Sequence, residues 1–242
     1  MTEPVCLLGG WAVYLTVNRK FNETNGRNYL GSRDIDLGFH IDPNWSTEEM
    51  QRSALAQSGS ILERRGFNGI GSRFMKHYDI ETKKELSKEE AKRRRSYEMF
   101  QLYVDPIGDN THVDAQKILG FPLLDESLLS HVFVDNRFIF LTEFGEKFKL
   151  PTPEVLIAMK LKSVTARTKD DKRIKDISDI YALSWYSEVE FPELKQRVQK
   201  ILGIKDISDV VSKFTRDEYN AVSNAIGITP EEISRVINEI AK

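Results

Sequence analysis

With 242 residues, 40% of them hydrophobic and 30% charged, the chain can bury a substantial core as one large domain or as a catalytic domain with a helical appendage. A net charge of −2 excludes a polycation, so any affinity for nucleic acid has to come from a local patch. One cysteine, Cys6, excludes an internal disulfide; no apolar stretch approaches the ~18 residues of a membrane span and the N-terminus has no signal-peptide pattern, so a cytoplasmic protein without membrane association is expected.

In chain order, Val5–Leu8 predicts a short buried strand, with Cys6 as a small hydrophobe within it, ending at Gly9-Gly10. Trp11–Val17 predicts a helix or helical turn, and the Asn- and Gly-rich stretch from Asn18 to Ser32 a loop. Asp34–Phe39 alternates polar and apolar residues as a half-buried strand does. Ser46 followed by Glu49 marks a capped helix start, and that helix is expected to run to Arg65 and stop at Gly66. Phe67–Ile80 predicts one or two strands and Lys83–Glu98 a charged helical insertion. Met99–Val104 is the clearest strand, expected to close at Asp105-Pro106; Gly108–Asn110 then predicts a turn and His112–Ile118 a hairpin return. From Thr152-Pro153, a capping residue followed by a proline suited to the first helical position, apolar residues recur at helical spacing to the C-terminus. The expected fold class is α+β: a mixed sheet flanked by helices over residues 1–150, then a helical domain over 151–242.

Two constellations suggest chemistry. Asp34 and Asp36, separated by one residue on a strand, point to the same face about 6.5–7 Å apart, and paired carboxylates of this kind hold hard divalent cations such as Mg2+. Gly9-Gly10, between a strand and a helix, lets backbone N–H groups approach phosphates. Two more carboxylates stand near strand ends or turns, Asp105 at the end of the strong strand and Asp114 one hairpin later. Between Lys83 and Arg95 seven Lys and Arg residues stand against three Glu, a basic segment that reads either as a solvated helix or as a surface for RNA phosphates.

The order strand, Gly9-Gly10, helix, loop, then Ser32-Arg33-Asp34-Ile35-Asp36-Leu37 resembles the nucleotidyltransferase superfamily of the polymerase-β type. The likeness extends to the AbiEii-type, or minimal, nucleotidyltransferases. Their helical second half carries Leu-x-x-x-Lys-Leu and Arg-x-Lys-Asp-x-x-Asp, matched here by Leu156–Leu161 with Lys160 and by Arg173–Asp179 with Asp176. Gly10 departs from the Ser that many members have at that position. The resemblance implies a sheet of nucleotidyltransferase type and transfer of a nucleoside monophosphate from an NTP, with pyrophosphate leaving. It also implies Mg2+ or Mn2+ held by Asp34, Asp36 and a third carboxylate on a neighbouring strand, for which Asp105 is favoured and Asp114 is the competitor. The nucleotide-binding positions it implies are Gly9, Gly10, Ser32, Arg33, Lys160 and Asp176, with Lys160 neutralising triphosphate charge. Acceptors in the group favour tRNA or protein, and many members are toxins with a cognate antitoxin as partner.

Overall fold

The computed structural model describes residues 5–110, 112, 114–120 and 122–242. The chain groups into two compact units. One holds residues up to Trp11, Ser32–Asn136 and Thr142–Leu150; the other holds Ala12–Gly31, Arg137–Leu141 and Pro151–Lys242. Residue 150 is thus the last point at which the chain changes unit, and two earlier pieces group with the helical C-terminal part.

The first unit is a mixed sheet. Its strands are β1 (Cys6–Leu8), β2 (Asp34–Phe39), β3 (Asn68–Ile70), β4 (Arg73–Asp79), β5 (Glu85–Leu86), β6 (Met99–Gly108) and β7 (Leu124–Asp125). The order is β1-β2-β6-β4-β3, with β5 on β4 and β7 on β6. β2 and β6 run parallel, whereas β1 is antiparallel to β2 and β4 antiparallel to β6. The alternation in β2 sends Ile35, Leu37 and Phe39 to one face, where they join Phe74, Val104, Met50, Leu55 and Ala115 in the core. Helices α2 (Thr47–Arg52), α3 (Ala54–Arg64) and α5 (Ala115–Leu119) supply the last three of these residues, and α4 (Lys88–Arg93) lies in the charged insertion.

Several sequence expectations hold and several are corrected. The Ser46–Glu49 capping box is present, but the helix it starts breaks at Ser53, whose extended backbone and hydroxyl cap α3 afresh by accepting from the Ala56 N–H. The expected loop after Val17 is helix: α1 runs Gly9–Asn25, because Val13, Val17 and Phe21 recur at four-residue spacing and are all buried. It stops at Gly26, whose φ of +68° suits the left-handed residue past a helix end. β6 does not close at Asp105-Pro106 but continues to Gly108. Pairing with β4 has ended by then, so the proline's missing N–H deprives no β4 partner. Ala115–Leu119 is a helix and not a hairpin return; Val113, within that expected return, lies outside the described residues. The charged insertion is split into β5, α4 and a 3-10 turn at Ser96–Glu98. Two strands that the sequence reading did not anticipate, β8 (Phe138–Glu143) and β9 (Glu146–Pro151), stand outside the main sheet.

The second unit contains α7 (Pro153–Ala166), α8 (Asp170–Tyr186), α9 (Phe191–Leu202), α10 (Ile204–Val211), α11 (Arg216–Ile226) and α12 (Pro230–Ile240); a four-residue helix, α6 (Ser130–Phe133), precedes them in the first unit. Helix α7 opens with Pro153 as expected, although the Thr152 side chain makes no capping bond. Helices α9 to α12 are amphipathic: α12 buries Ile233, Val236, Ile237 and Ile240, and α9 buries Leu194 and Val198. Helix α7 is buried almost throughout, with Val155, Leu156, Ile157, Ala158, Leu161 and Val164 all at 1% exposure or less. From α1 and the turn after it, Phe21 and Tyr29 stack edge-on, and Phe21 does the same with Tyr186 of α8. Among the described residues no helix is long and apolar enough to cross a membrane.

Candidate functional site

The face of the sheet opposite the apolar core carries charge. Parallel register puts Asp36 of β2 level with Asp105 of β6, and Asp34 level with Tyr103. Because neighbours in register point to the same side, the three carboxylates share one face across two adjacent strands. β4 extends the row: Phe74 lies opposite Val104, so Arg73 comes next to Asp105, and its Nη2 is 2.7 Å from Asp105 Oδ2. The Arg73 guanidinium also lies 4.6 Å from the centroid of the Tyr103 ring. Tyr103 donates its own hydroxyl to Gln101 Oε1 at 2.6 Å.

Gly9 meets this row from the other side. It opens α1 with φ +59°, and a Cβ built on it would overlap Asp36 Oδ2. Any other residue would therefore meet both an unfavourable backbone region and a steric clash. The contact sets Asp36 against the head of a 17-residue helix, where the positive end of the peptide dipoles favours an anion. Gly10 is buried, the Ser32 hydroxyl donates to the Asp34 carbonyl at 3.1 Å, and Arg33 is exposed.

Asp105 is 5% exposed, so its charge needs compensation, and Arg73 supplies it. Among the described residues no group of three or more His, Cys, Asp or Glu side chains is placed to hold a metal ion. The Asp34–Asp36 pair nevertheless suits a hard divalent cation. Mg2+ takes one or two carboxylates and completes its octahedron with water and substrate phosphates, so it can arrive with a nucleotide without a preformed protein cage.

Asp114, the competing third carboxylate, is not part of the row. It accepts from Thr47 Oγ1 at 2.7 Å and pairs with Lys117 Nζ at 2.9 Å. The Thr47 hydroxyl and then the Lys117 ammonium hold its carboxyl below the usual range. With Thr47, Lys117 and Phe74 it lines a cavity of about 540 Å³ beside α2, α3 and α5, on the core side of the sheet. Nearby, His112 Nε2 lies 2.8 Å from the Trp45 carbonyl. Cys6 is fully buried, and burial pushes its thiol up to about 12, as suits a packing residue and not a nucleophile.

Lys160 and Asp176 meet inside the helical unit. Lys160 Nζ lies 2.8 Å from Asp176 Oδ1 and 2.7 Å from Asp179 Oδ2. Asp176 also takes Arg167 Nε at 2.7 Å and the Ser163 hydroxyl at 3.0 Å; Asp179 takes the Tyr29 hydroxyl at 2.9 Å and Lys175 Nζ at 3.3 Å. Burial alone would pull the Lys160 ammonium down, but the two carboxylates outweigh it and hold it above its ordinary value. Burial would likewise raise Asp176, and Lys160 and Arg167 bring it below the usual range. Three cations, Lys160, Arg167 and Lys175, thus surround the two buried carboxylates.

Sequence reasoning passed over Arg73 and Tyr103 on the charged face, and Tyr29 in the helical cluster. Strand alternation could have placed Tyr103 two residues before Asp105. Nothing local marks Arg73, since its partner is 32 residues away and is found only through the β4–β6 register.

No protein-family model matches the chain, and no curated protein matches it. Among solved structures, the crystal structure of an antigenic nucleotidyltransferase-like protein from Paracoccidioides brasiliensis is similar at 17% identity, covering 93% of this chain and 84% of that one with a TM-score of 0.45.

Proposed function

We propose that the chain is a metal-dependent nucleotidyltransferase that moves a nucleoside monophosphate from an NTP to an acceptor. The observation that supports this most is the charged face of the sheet, with Asp34, Asp36 and Asp105 on two parallel strands and the backbone of Gly9 against Asp36. In this reading Asp34 and Asp36 hold Mg2+ or Mn2+, which when bound supplies Lewis-acid polarisation of the phosphates. Gly9 and Gly10, at the head of α1, offer backbone N–H groups to phosphate oxygens, with Ser32 and Arg33 beside Asp34. An acceptor oxygen attacks the α-phosphorus and forms the new P–O bond. The bond to the bridging oxygen breaks, pyrophosphate leaves with the electron pair, and the acceptor proton passes to the Asp105 carboxylate. Lys160 and Asp176 stay outside the proposal, since they are already satisfied within the helical unit.

For the acceptor we favour tRNA over protein. The segment with seven basic residues between Lys83 and Arg95 leads into Tyr97, which is 66% exposed and whose hydroxyl accepts from Arg95 Nη1 at 2.6 Å. Positive charge beside an exposed aromatic ring suits an RNA strand. A toxin role, with a cognate antitoxin as partner, belongs to the same proposal, and a neighbouring gene for a small DNA-binding protein would support it.

A second reading, a non-catalytic nucleotide-binding or regulatory protein of the same architecture, draws on the arginine held against Asp105. The test is to incubate the protein with Mg2+ and each of the four labelled NTPs, offering tRNA and then cell lysate. An Asp34→Ala/Asp36→Ala variant runs alongside. Label on RNA or protein with wild type only supports the enzyme. Mg2+- and Asp-dependent NTP binding without transfer to any acceptor supports the second reading.

A further inference from the structure

We infer that Arg73 is a built-in counter-ion that stands where a divalent cation would otherwise draw on Asp105, so that the cation must displace it to recruit the third carboxylate. The inference rests on the functional reading above and concerns the loading of that same site. Three observations carry it. Asp105 is 5% exposed, and a buried carboxylate needs a cationic or hydrogen-bonding partner. Arg73 provides one at 2.7 Å from the neighbouring strand. Asp36 lies level with Asp105 on the strand to the other side, yet no three carboxylates are placed together as a metal group among the described residues.

Arg73 is also built to leave. Its side chain is 32% exposed, whereas that of Asp105 is 6% exposed, so the solvent-facing member of the pair is the arginine. Its guanidinium lies 4.6 Å from the centroid of the Tyr103 ring, a cation–π contact that does not depend on Asp105. The Arg73 guanidinium paired with Asp105 and an arriving cation repel within a few ångströms of each other, which weakens metal binding until the two exchange. Arg73 is therefore a positioning residue: it sets the availability of Asp105 without being required to touch the reacting atoms.

The test reads metal binding directly. Mn2+ alone is titrated into wild type, Arg73→Gln and Arg73→Lys, with free Mn2+ followed by electron paramagnetic resonance. Removing the guanidinium charge should tighten Mn2+ binding by about tenfold or more. Arg73→Lys, which keeps a point charge but not the planar fork, should fall between the two and carries the test if the glutamine variant does not fold. Adding Asp105→Asn to either variant should abolish the gain. Equal or weaker Mn2+ binding in the folded Arg73 variants overturns the inference. The underlying reading fails separately: if Asp34→Asn/Asp36→Asn binds Mn2+ as wild type does, the carboxylate pair is not the cation site and both fall.

Discussion

Gly9→Ala probes the join between α1 and the carboxylate row, and its cost can be worked out from the geometry. An alanine at φ +59° adopts the left-handed region, a penalty of about 1–2 kcal/mol. Its Cβ would also overlap Asp36 Oδ2 and crowd Cγ at 2.7 Å, an overpacking cost of about 1–3 kcal/mol. The sum is about 2–5 kcal/mol, and the two parts separate in a double-mutant cycle. In an Asp36→Ala background the offending atoms are gone, and only the Asp36 Cβ at 3.2 Å remains. There the Gly9 substitution should cost only the backbone penalty of about 1–2 kcal/mol. Gly26→Ala, at φ +68° with nothing within 4 Å of the added Cβ, calibrates that penalty alone. Urea titration followed by tryptophan fluorescence suits the measurement, since Trp11 lies two residues from the mutation. If Gly9→Ala and Asp36→Ala add to within about 0.5 kcal/mol, the two residues do not touch and the proposed cradle is wrong.

Two further outcomes follow from the buried groups. Lys160→Met leaves Asp176 and Asp179 without their shared cation and should cost about 3–5 kcal/mol at pH 7. In wild type the Asp176 carboxyl is held below its ordinary 3.8, so its contribution is present above that pH and is lost as pH falls through the lower folded value. Without Lys160 that hold weakens, so the gap between variant and wild type should narrow on acidification; a gap independent of pH would contradict the assigned cause. Cys6, with its thiol pushed up to about 12, should resist a thiol-reactive disulfide reagent at pH 8 in the native protein and react once the chain is unfolded in urea. Stoichiometric labelling of the native protein would show that β1 is open to solvent.

The parts of the fold legible in the sequence are those in which local chemistry and tertiary packing agree. The polar–apolar alternation of Asp34–Phe39, the Ser46–Glu49 box and Pro153 at a helix start each mean the same thing locally and in the folded chain. Where they disagree, packing wins. The asparagines between Asn18 and Asn25 favour a loop, but Val17 and Phe21 are buried at helical spacing and draw α1 through them. Ser53 interrupts a helical pattern with neither glycine nor proline to announce it. Of the candidate site, the alignment of Asp34 and Asp36 on one face followed from strand period alone. The level of Asp105 beside Asp36 needed the parallel β2–β6 register, and Arg73 beside Asp105 needed the antiparallel β4–β6 register. Pairings over such distances leave no local trace.

The most direct test of nucleotidyl transfer distinguishes which phosphate moves. The preferred NTP is supplied to wild type with Mg2+ and tRNA in two forms, one labelled at the α-phosphorus and one at the γ-phosphorus. Attack at the α-phosphorus predicts that the α-label becomes bound to the acceptor while the γ-label leaves in pyrophosphate, and that both signals vanish in Asp34→Ala/Asp36→Ala. Retention of the γ-label on the acceptor, or α-label transfer undiminished in that variant, would contradict the account.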